Sequence, residues 1–532
     1  MANPAPIPLS TPAQTQTSGA KDFVTAAARP RVWATVGQGI VNEVFWPRAD
    51  QPQVKDLGFL VRADGGADGP RWWEVKAQAS YTVVSDPDPA VPLATIEHTA
   101  DFYRLTVRVI PDPNHDAVLV QFNLRGADAA APQPLRLYAL LAPHMGYYTA
   151  QARGTGPDRR CHLGEDNYAW IQDGALYAST PQQPYTRVLC LVAEPSFARA
   201  SAGYVGYTDG WSDLHDDNTM TWTYDSAGPG VIALTGELLA PGGRLSGTLA
   251  LGFGSTPEAA GDAARQALAQ GSEVTATEVA EQWRLWSAGL QLPGTGDALS
   301  AHIADAVRQS ASVLRLCRDP ATGGVVAGLS TPWGDTTNAA DGYHLVWCRD
   351  GSETALALAA LGDSDTGFHL LEFLQRQQVL GGVDDGSWGR CYFLDGTTLP
   401  GQQLDETAFP ILLASKFAEL GAPLPAATAD MVRRAAGYLA RFGPVYGEDR
   451  WEESAGGSPY TIAVIIAALI AAAESLPAEE QGYLLSLADN WNERLEDFCY
   501  IAGTGIDQAN GVAGHYVRLG RPEMPVHLVL QP

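Results

Sequence analysis

Cysteine, positive charge and long apolar runs are all scarce in this 532-residue sequence. Its six cysteines form no CxxC pair and no metal-like spacing, so the sequence predicts neither a disulfide framework nor a zinc site. The 34 Lys and Arg residues are outnumbered by 60 Asp and Glu, which gives a formal net charge of −26. This balance argues against nucleic acids and anionic membranes as partners, because both require clustered basic side chains. A neutral or cationic substrate is compatible with it.

No segment has the length and apolarity of a membrane span. The most apolar run, PYTIAVIIAALIAAAE, has about fifteen uncharged residues, whereas a helix that crosses a bilayer needs about 20. We therefore predict a helix that is buried on most sides. Residues 1–20 are polar and lack the basic start and apolar stretch of a signal peptide, so they are predicted to be a flexible lead-in. The expected location is the cytoplasm, or a secreted or periplasmic one if a signal has been removed.

Residues 21–255 are typical of an all-β domain. Short segments rich in β-branched and aromatic residues alternate with Gly, Pro, Asp and Asn. The predicted strands include YTVVSD, FYRLTVRVIPD, AVLVQFNL, LRLYALLAP, TRVLCLVAEP, TMTWTYD (219–225), GVIALTGEL and RLSGTLALGFG. Many short strands without intervening helical periods indicate antiparallel sheets that are stacked as a sandwich.

After residue 255 the pattern becomes helical. Residues 256–297 are rich in Ala, Glu and Gln and predict a linker of one or two helices. From 298 to 532 the chain predicts a succession of helices, at about 298–317, 350–362, 364–378, 405–420, 426–441, 458–475 and 479–500. Several end in glycine, as helix C-termini commonly do. Helical hairpins with long loops indicate an α/α toroid whose inner helices are apolar nearly all round.

Two loops of the helical region place aromatic residues beside charged ones. In YHLVWCRD, Tyr343 and Trp347 precede Arg349 and Asp350, and a helix then begins. A helix cap with a local salt bridge would explain the charged pair. However, aromatic faces stack on a pyranose ring while charged groups bind neighbouring hydroxyls, so the same mixture is typical of a sugar-binding site.

The second loop, DDGSWGRCYF, repeats the theme with Trp388 and Arg390. These two residues are therefore candidates for sugar contact. Asp405 and Glu406 follow at the start of the next predicted helix. For them, a favourable interaction with the helix dipole is the simpler interpretation.

A third loop, GEDRWEESAGG, concentrates carboxylates around one aromatic residue. Glu452 and Glu453 follow Trp451, and Asp449 precedes it. A solvated surface loop would have this composition. Alternatively, Trp451 forms an apolar wall that raises the pKa of a carboxyl group, which would keep the group protonated as a general acid.

Evidence for a metal or cofactor is weak. The acidic segment DLHDDN (213–218) makes Ca²⁺ possible, but EF-hand spacing is absent and a solvated turn is the better interpretation. His344 is predicted to be a hydrogen-bonded structural residue. No phosphate-binding glycine loop and no Ser-His-Asp or Cys-His arrangement is evident, so no cofactor is predicted to be required.

The quoted segments resemble glycoside hydrolase family fifteen, the bacterial-type glucoamylases and glucodextranases. The resemblance extends from about residue 19 to the end of the sequence. It rests on YHLVWCRD, GSWGR, QLDETAFPI and DRWEES in the helical region, and on GIVNEVFWPRADQPQVKDLGFLV and GYVGYTDGWSDL before it. It implies a β-supersandwich over 21–255, a helical linker over 256–297 and an (α/α)6 barrel over 298–532.

The resemblance also implies roles for individual residues in an inverting enzyme that removes glucose from the non-reducing ends of α-1,4-glucans. Glu452 would be the general acid that protonates the glycosidic oxygen. Glu453 and Asp449 would be supporting acids, and Trp451 an aromatic wall. The residues implied to bind or line the terminal-glucose subsite are Arg349, Asp350, Tyr343, Trp347 and Trp388.

The resemblance does not cover the second half of the catalytic pair. The family's base lies in a later loop, and no segment of this sequence resembles it. About seven helices are predicted where the barrel has twelve, so we expect a partial barrel from a fragment or a shortened gene. The alternatives are an α-1,6-specific or trehalose-specific member of the family, and a non-catalytic glucan-binding protein.

Overall fold

The structure is a computed structural model that describes residues 3–7, 23–66, 69–77, 80–128, 133–146, 166–180, 186–292, 298–329, 343–452 and 454–520. The chain divides into two units. The first comprises Met1–Pro320 and Gly328–His344, and the second comprises Ala321–Ala327 and Leu345–Pro532.

The first unit is built from strands. In chain order they are β1 (Phe23–Ala26), β2 (Trp33–Gly37), β3 (Ile40–Phe45), β4 (Pro52–Gly66), β5 (Gly69–Glu74), β6 (Tyr81–Ser85), β7 (Ala94–Thr99), β8 (Tyr103–Pro111), β9 (Ala117–Gly126), β10 (Leu135–Pro143), β11 (Asn167–Gln172), β12 (Ala175–Thr180), β13 (Arg187–Glu194), β14 (Arg199–Tyr204), β15 (Ser226–Gly230), β16 (Ile232–Ala240) and β17 (Arg244–Gly254).

These strands form two antiparallel sheets that share one core. The first has the order β1-β2-β3-β4-β10-β16-β14, with β5 paired to β4, and the second has the order β15-β11-β12-β13-β17-β9-β8-β7-β6. Inward residues of both sheets, such as Leu137 and Ile232 of the first and Val107 and Leu249 of the second, belong to one buried cluster. The predicted β-sandwich is therefore confirmed.

Four helices also belong to this unit: α1 (Gly210–Asp217), α2 (Pro257–Gln270), α3 (Ser272–Ser287) and α4 (Ala298–Leu316). Thr256 caps α2 through its side chain, which accepts a hydrogen bond from the amide of Ala259. Helices α2 and α3 fill the predicted helical linker. Trp283 of α3 is buried and donates from Nε1 to the carbonyl of Ala26 at 2.9 Å.

Two predictions for this unit are wrong. DLHDDN is not a turn, because most of it lies in α1, and TMTWTYD does not form a strand. Asp209 caps α1 by accepting from the amide of Ser212, and Asp213 explains the missing strand. The buried carboxylate of Asp213 accepts hydrogen bonds from the amides of Thr221 and Trp222, at 2.7 and 2.6 Å. These two amides are thus satisfied by a side chain rather than by a neighbouring strand.

The second unit is helical, with two short hairpins. Its helices are α5 (Cys348–Ala360), α6 (Asp365–Gln377), α7 (Leu404–Glu419), α8 (Thr428–Phe442), α9 (Pro459–Ala473), α10 (Ala478–Cys499) and α11 (Gly505–Asn510). Strands β18 (Cys391–Tyr392) and β19 (Thr398–Leu399) form one hairpin, and β20 (Tyr500–Ala502) and β21 (Gly514–Tyr516) form the other.

Helices α5 to α10 form two layers. Helices α5, α7 and α9 contact one another in sequence as the inner layer, and α6, α8 and α10 pack outside them. Most of α7 is buried, including its first-turn acids. This alternation of inner and outer helices is the α/α arrangement that the sequence predicts. Within the described residues it remains an open segment and not a closed barrel.

The apolar run of α9 packs inside this unit. Its buried residues include Ile462, Ile465 and Leu469, and Ser458 caps the helix by accepting from the amide of Thr461. Among the described helices, none combines the length and the apolarity that crossing a bilayer requires.

Candidate functional site

The loops before the three inner helices meet at one end of the second unit. Isolated backbone bridges join them: Val346 pairs with Tyr392, and Gln403 with Gly447. The first bridge connects the loop before α5 to β18, and the second connects the residue before α7 to the loop before α9. The three loops that the sequence singles out are therefore brought together, with the N-termini of α5, α7 and α9 beneath them.

Glu452 lies in the loop before α9 in an unusual backbone conformation. Its φ of +59° falls in the left-handed region, which costs a non-glycine residue roughly 1–3 kcal/mol. The turn is closed by the amide of Glu452, which donates to the carbonyl of Asp449 at 2.9 Å. The structure thus holds this side chain in place at an energetic cost.

The two carboxylate oxygens of Glu452 have different partners. Trp347 donates from its indole Nε1 to Oε1 at 2.9 Å. Arg390 Nη1 lies 3.3 Å from Oε2. The side chain of Glu452 remains 27% exposed, so a ligand can reach it. A carboxyl group that is fixed by two neighbours and still accessible can exchange a proton with a bound molecule or accept a hydrogen bond from it.

Arg349 is the centre of a cluster of carboxylates beside this loop. Its Nη1 atom lies 2.6 Å from Asp405 Oδ2 and 2.9 Å from Glu406 Oε1, and both acids are fully buried. Its Nη2 atom lies 3.5 Å from Oδ2 of Asp350. The amide of Arg349 also donates to Glu406 Oε2 at 3.0 Å, so Glu406 caps the first turn of α5. One guanidinium thus faces three carboxylates.

This excess of negative charge affects protonation. Burial raises the pKa of Glu406 well above its usual value, and repulsion from Asp405 and Asp350 adds to the effect while Arg349 opposes it. Burial also raises the pKa of Asp350, with Arg349 opposing and the nearby charges of Asp405 and Glu452 adding to it. We therefore expect the cluster to retain a proton on Glu406 above the pH at which a free glutamic acid loses it.

The raised pKa of Glu406 predicts how stability depends on pH. Between its usual pKa of 4.5 and its raised pKa, the folded chain binds more protons than the unfolded chain, so the free energy of unfolding falls as pH rises. In the Glu406→Gln variant this part of the decline is expected to disappear. Urea unfolding at several pH values above 4.5 measures both curves.

Glu493→Gln, an exposed change on α10, is the matched control and should follow the wild-type slope. If Glu406→Gln and wild type decline in parallel, then Glu406 does not hold the proton.

Several polar atoms around the cluster are buried without a hydrogen-bond partner among the described residues. They are Arg390 Nε, Gln403 Nε2, Asp405 Oδ1 and Glu448 Oε2. Buried polar atoms in native proteins normally bind protein groups or ordered water. Ordered water is a partner that buried atoms of this kind commonly bind.

Asp449 and Trp451 of the third loop make different kinds of contact. Asp449 is buried and accepts from Arg518 Nε and Nη2 at 3.0 and 2.8 Å, so it anchors the loop. Trp451 is 60% exposed, and the guanidinium of Arg450 lies 5.0 Å from its ring centre. The hydrogen bond and ion pair of Glu452 go to Trp347 and Arg390, so the predicted wall of Trp451 against this carboxyl is not among its observed contacts.

For three other sequence-predicted residues, no contact with the Glu452 cluster is described. Trp388 is fully buried and donates from Nε1 to the carbonyl of Leu374 at 2.9 Å, so its ring packs in the core and offers no face to a ligand. Tyr343 is exposed and belongs to the first unit, where its carbonyl accepts from the amide of Gly328. Glu453 lies outside the described residues.

The sequence predicts Asp405 and Glu406 in the first turn of a helix but does not predict their contact with Arg349. They do occupy the first turn of α7, but they are buried against Arg349. Arg349 and Asp405 are separated by 56 positions, so no local pattern connects them. A signal was available in their neighbourhood, because LDETAFPILL is apolar on both sides of the acids and predicts their burial.

No metal site accompanies the cluster. Within the described part of the chain, no group of three or more His, Cys, Asp or Glu side chains is arranged to hold a metal ion.

Two family models match successive parts of the chain. Residues 10–288 match the family model described as glucodextranase, domain N. Residues 304–516 match the model described as glycosyl hydrolases family 15. The second match includes every described residue of the cluster around Glu452 except Arg518.

Two relatives are similar over most of this chain. A glucoamylase from Clostridium sp. (strain G0005) is 24% identical over 507 residues, which cover 93% of this chain. The match spans 66% of the length of that glucoamylase. The crystal structure of a bacterial glucoamylase complexed with acarbose has a TM-score of 0.81 and 22% identity, and covers 98% of this chain and 73% of that one. At this identity the likeness shows a shared fold.

Proposed function

The chain belongs to glycosyl hydrolases family 15, with a glucodextranase domain N before the family segment, and from this membership we propose that it hydrolyses α-glucans. The proposed reaction is of the glucoamylase type: glucose is released from the non-reducing ends of α-1,4-glucans with inversion at the anomeric carbon. The similarity to the Clostridium glucoamylase supports this choice of reaction.

The observation that carries the proposal is the setting of Glu452. Its carboxyl is accessible, accepts from the indole of Trp347 and lies beside Arg390. We assign to Glu452 the role of general acid. It would donate its proton to the glycosidic oxygen as the bond to the anomeric carbon breaks. Asp449 would support it by anchoring the loop through Arg518.

The substrate would be bound by the charged groups beside Glu452. Arg349 and Asp350 lie at the start of α5, with Asp350 the more exposed of the pair. They are proposed to bind sugar hydroxyls, and Arg390 is placed to do the same. Trp347 would line the subsite, and Trp451 and Glu453 would contribute to it. Trp388 is left out because its ring is buried.

Inversion needs a water molecule that attacks the anomeric carbon from the face opposite the leaving oxygen. A second carboxylate, roughly 6.5–9.5 Å from the acid, takes the proton of that water. The proposal assigns no residue of this chain to that step.

The test is glucose release from maltooligosaccharides, followed by proton NMR of the first product formed. We expect the β-anomer of glucose as the initial product. Isomaltooligosaccharides and trehalose, used in parallel, report the preferred linkage.

Initial release of α-glucose, or of larger fragments from inside the glucan chain, would contradict the proposed reaction. Glucan binding without any release would replace the proposal by that of a glucan-binding protein.

A further inference from the structure

The outer face of the second sheet carries a broad polar surface in the first unit. The middle parts of strands β8, β9 and β17 have one face in the core and one away from it: Val107, Phe122 and Leu249 point into the core, and the residues next to them point away from it. A solvated sheet face commonly carries charged side chains. On these strands the central outward positions are instead mostly hydroxyl and amide residues.

The strand register aligns these residues in two rows. The first row crosses five strands and consists of Thr95, Arg108, Gln121, Thr248 and Glu194. The second row, next to it, consists of Thr106, Asn123 and Ser246. At a strand spacing of about 4.8 Å, five strands span about 19 Å.

The rows form the floor of a groove of about 910 Å³. Gly247 and Pro195 also line it. A Cβ atom at Gly247 would collide with the carbonyl oxygen of Glu194 and would lie 2.7 Å from the ring of Phe122, so only glycine lets these strands and the Pro195 turn approach.

Helix α3 fixes part of the floor. Glu273, in its first turn, accepts from Gln121 Nε2 at 2.7 Å and lies 3.7 Å from Arg108 Nη1. Neighbouring Ser272 accepts from the hydroxyl of Thr248 at 3.4 Å. Side chains that are held in this way lose little conformational freedom when a ligand binds.

The chemistry of the groove selects the class of ligand. Its lining has one cation and one anion, Arg108 and Glu194, so it does not attract a polyanion. Phe122 turns its ring into the core, so no large apolar side chain is offered to a lipid or an apolar peptide. Hydroxyl and amide groups both donate and accept hydrogen bonds, and a neutral chain of sugars presents the matching hydroxyls.

We propose that this groove is a second carbohydrate-binding site, which takes an α-glucan chain on the β-sandwich. The identity of the sugar rests on the proposed function, whereas the existence of a polar groove does not. A site of this kind would retain a polymeric substrate and would matter little for short oligosaccharides.

Affinity electrophoresis in native gels with and without amylose tests the proposal. The full chain carries Glu452→Gln throughout, so that the amylose is not consumed. Adding Asn123→Ala and Ser246→Ala removes two exposed groups that no described residue uses. We expect roughly tenfold weaker binding, the loss typical of two neutral hydrogen bonds.

Ser85→Ala with Gln172→Ala, two exposed residues of the same sheet outside both rows, is the matched control and should bind like the parent. Thermal unfolding verifies that all variants fold.

Equal retention of the groove variant and its parent would overturn the proposal, as would retention by xylan that exceeds retention by amylose. Retention requires no hydrolysis, so this result is independent of the proposed reaction. A chain that releases no glucose but loses retention in the groove variant would refute the reaction alone.

Discussion

Glu452→Gln is expected to lower kcat on maltooligosaccharides by about 10²- to 10⁴-fold, the usual contribution of a general acid. Glutamine keeps the size of the side chain, and its Oε1 can still accept from Trp347. It cannot give up a proton to the departing oxygen. Because the charged groups that bind the sugar are unchanged, KM should change much less than kcat.

A substrate whose leaving group departs without protonation distinguishes acid catalysis by Glu452 from a purely structural role of this residue. Fluoride is such a leaving group, so the hydrolysis of α-glucosyl fluoride should be far less impaired in Glu452→Gln than that of maltooligosaccharides. The matched control is Glu493→Gln on the exposed face of α10, which should have wild-type rates on both substrates. Equal losses on the fluoride and the oligosaccharide would show that Glu452 is not the acid.

The backbone conformation of Glu452 allows a second prediction, which concerns stability. Since its φ of +59° favours glycine, Glu452→Gly should relieve strain, although it removes the partner of Trp347. A functional residue kept in an unfavourable conformation is expected where activity and stability compete.

The sequence predicts the elements of this chain much better than their contacts. The helix predicted at 405–420 is observed as Leu404–Glu419, and that at 458–475 as Pro459–Ala473. These boundaries depend on local signals, such as a Ser-Pro start and a glycine end. The segment 219–225 has the composition of a strand but does not form one, because two of its amides donate to the carboxylate of Asp213. Local composition does not predict such a contact.

The same difference applies to the candidate site, whose loops are predictable from sequence while the contacts of their side chains are not. Its loops were recognised by composition, because aromatic and charged residues are adjacent in each. Which side chain of a loop faces the site depends on packing, which composition does not encode. Trp388 and Arg390 are two positions apart, yet the first is in the core and the second lies beside Glu452.

Arg349→Met is expected to lower the free energy of unfolding by about 3–5 kcal/mol, the usual result of breaking a buried ion pair on one side. The guanidinium is only 14% exposed and is the cation between Asp405 and Glu406, which are both fully buried. Methionine fills much of the volume but leaves two buried acids without that cation. Arg349→Lys should lower the free energy of unfolding by less, since lysine keeps the positive charge although it lacks the planar guanidinium.

Urea unfolding measures the loss, and Arg433→Met is the matched control. Arg433 makes an ion pair of similar length with Glu480, at 2.8 Å, but on the surface of the unit, so its replacement should change stability little.

A double variant tests whether the cost of Arg349→Met comes from the stranded acids. Adding Glu406→Gln removes one of the two buried carboxyl groups that contact Arg349, so the pair of changes should cost less than the sum of the single ones. Strict additivity would mean that Arg349 stabilises the unit through packing alone. Coupling between the two changes would show that the contact between Arg349 and Glu406 stabilises the unit, with Glu406 joining the N-terminus of α5 to that of α7.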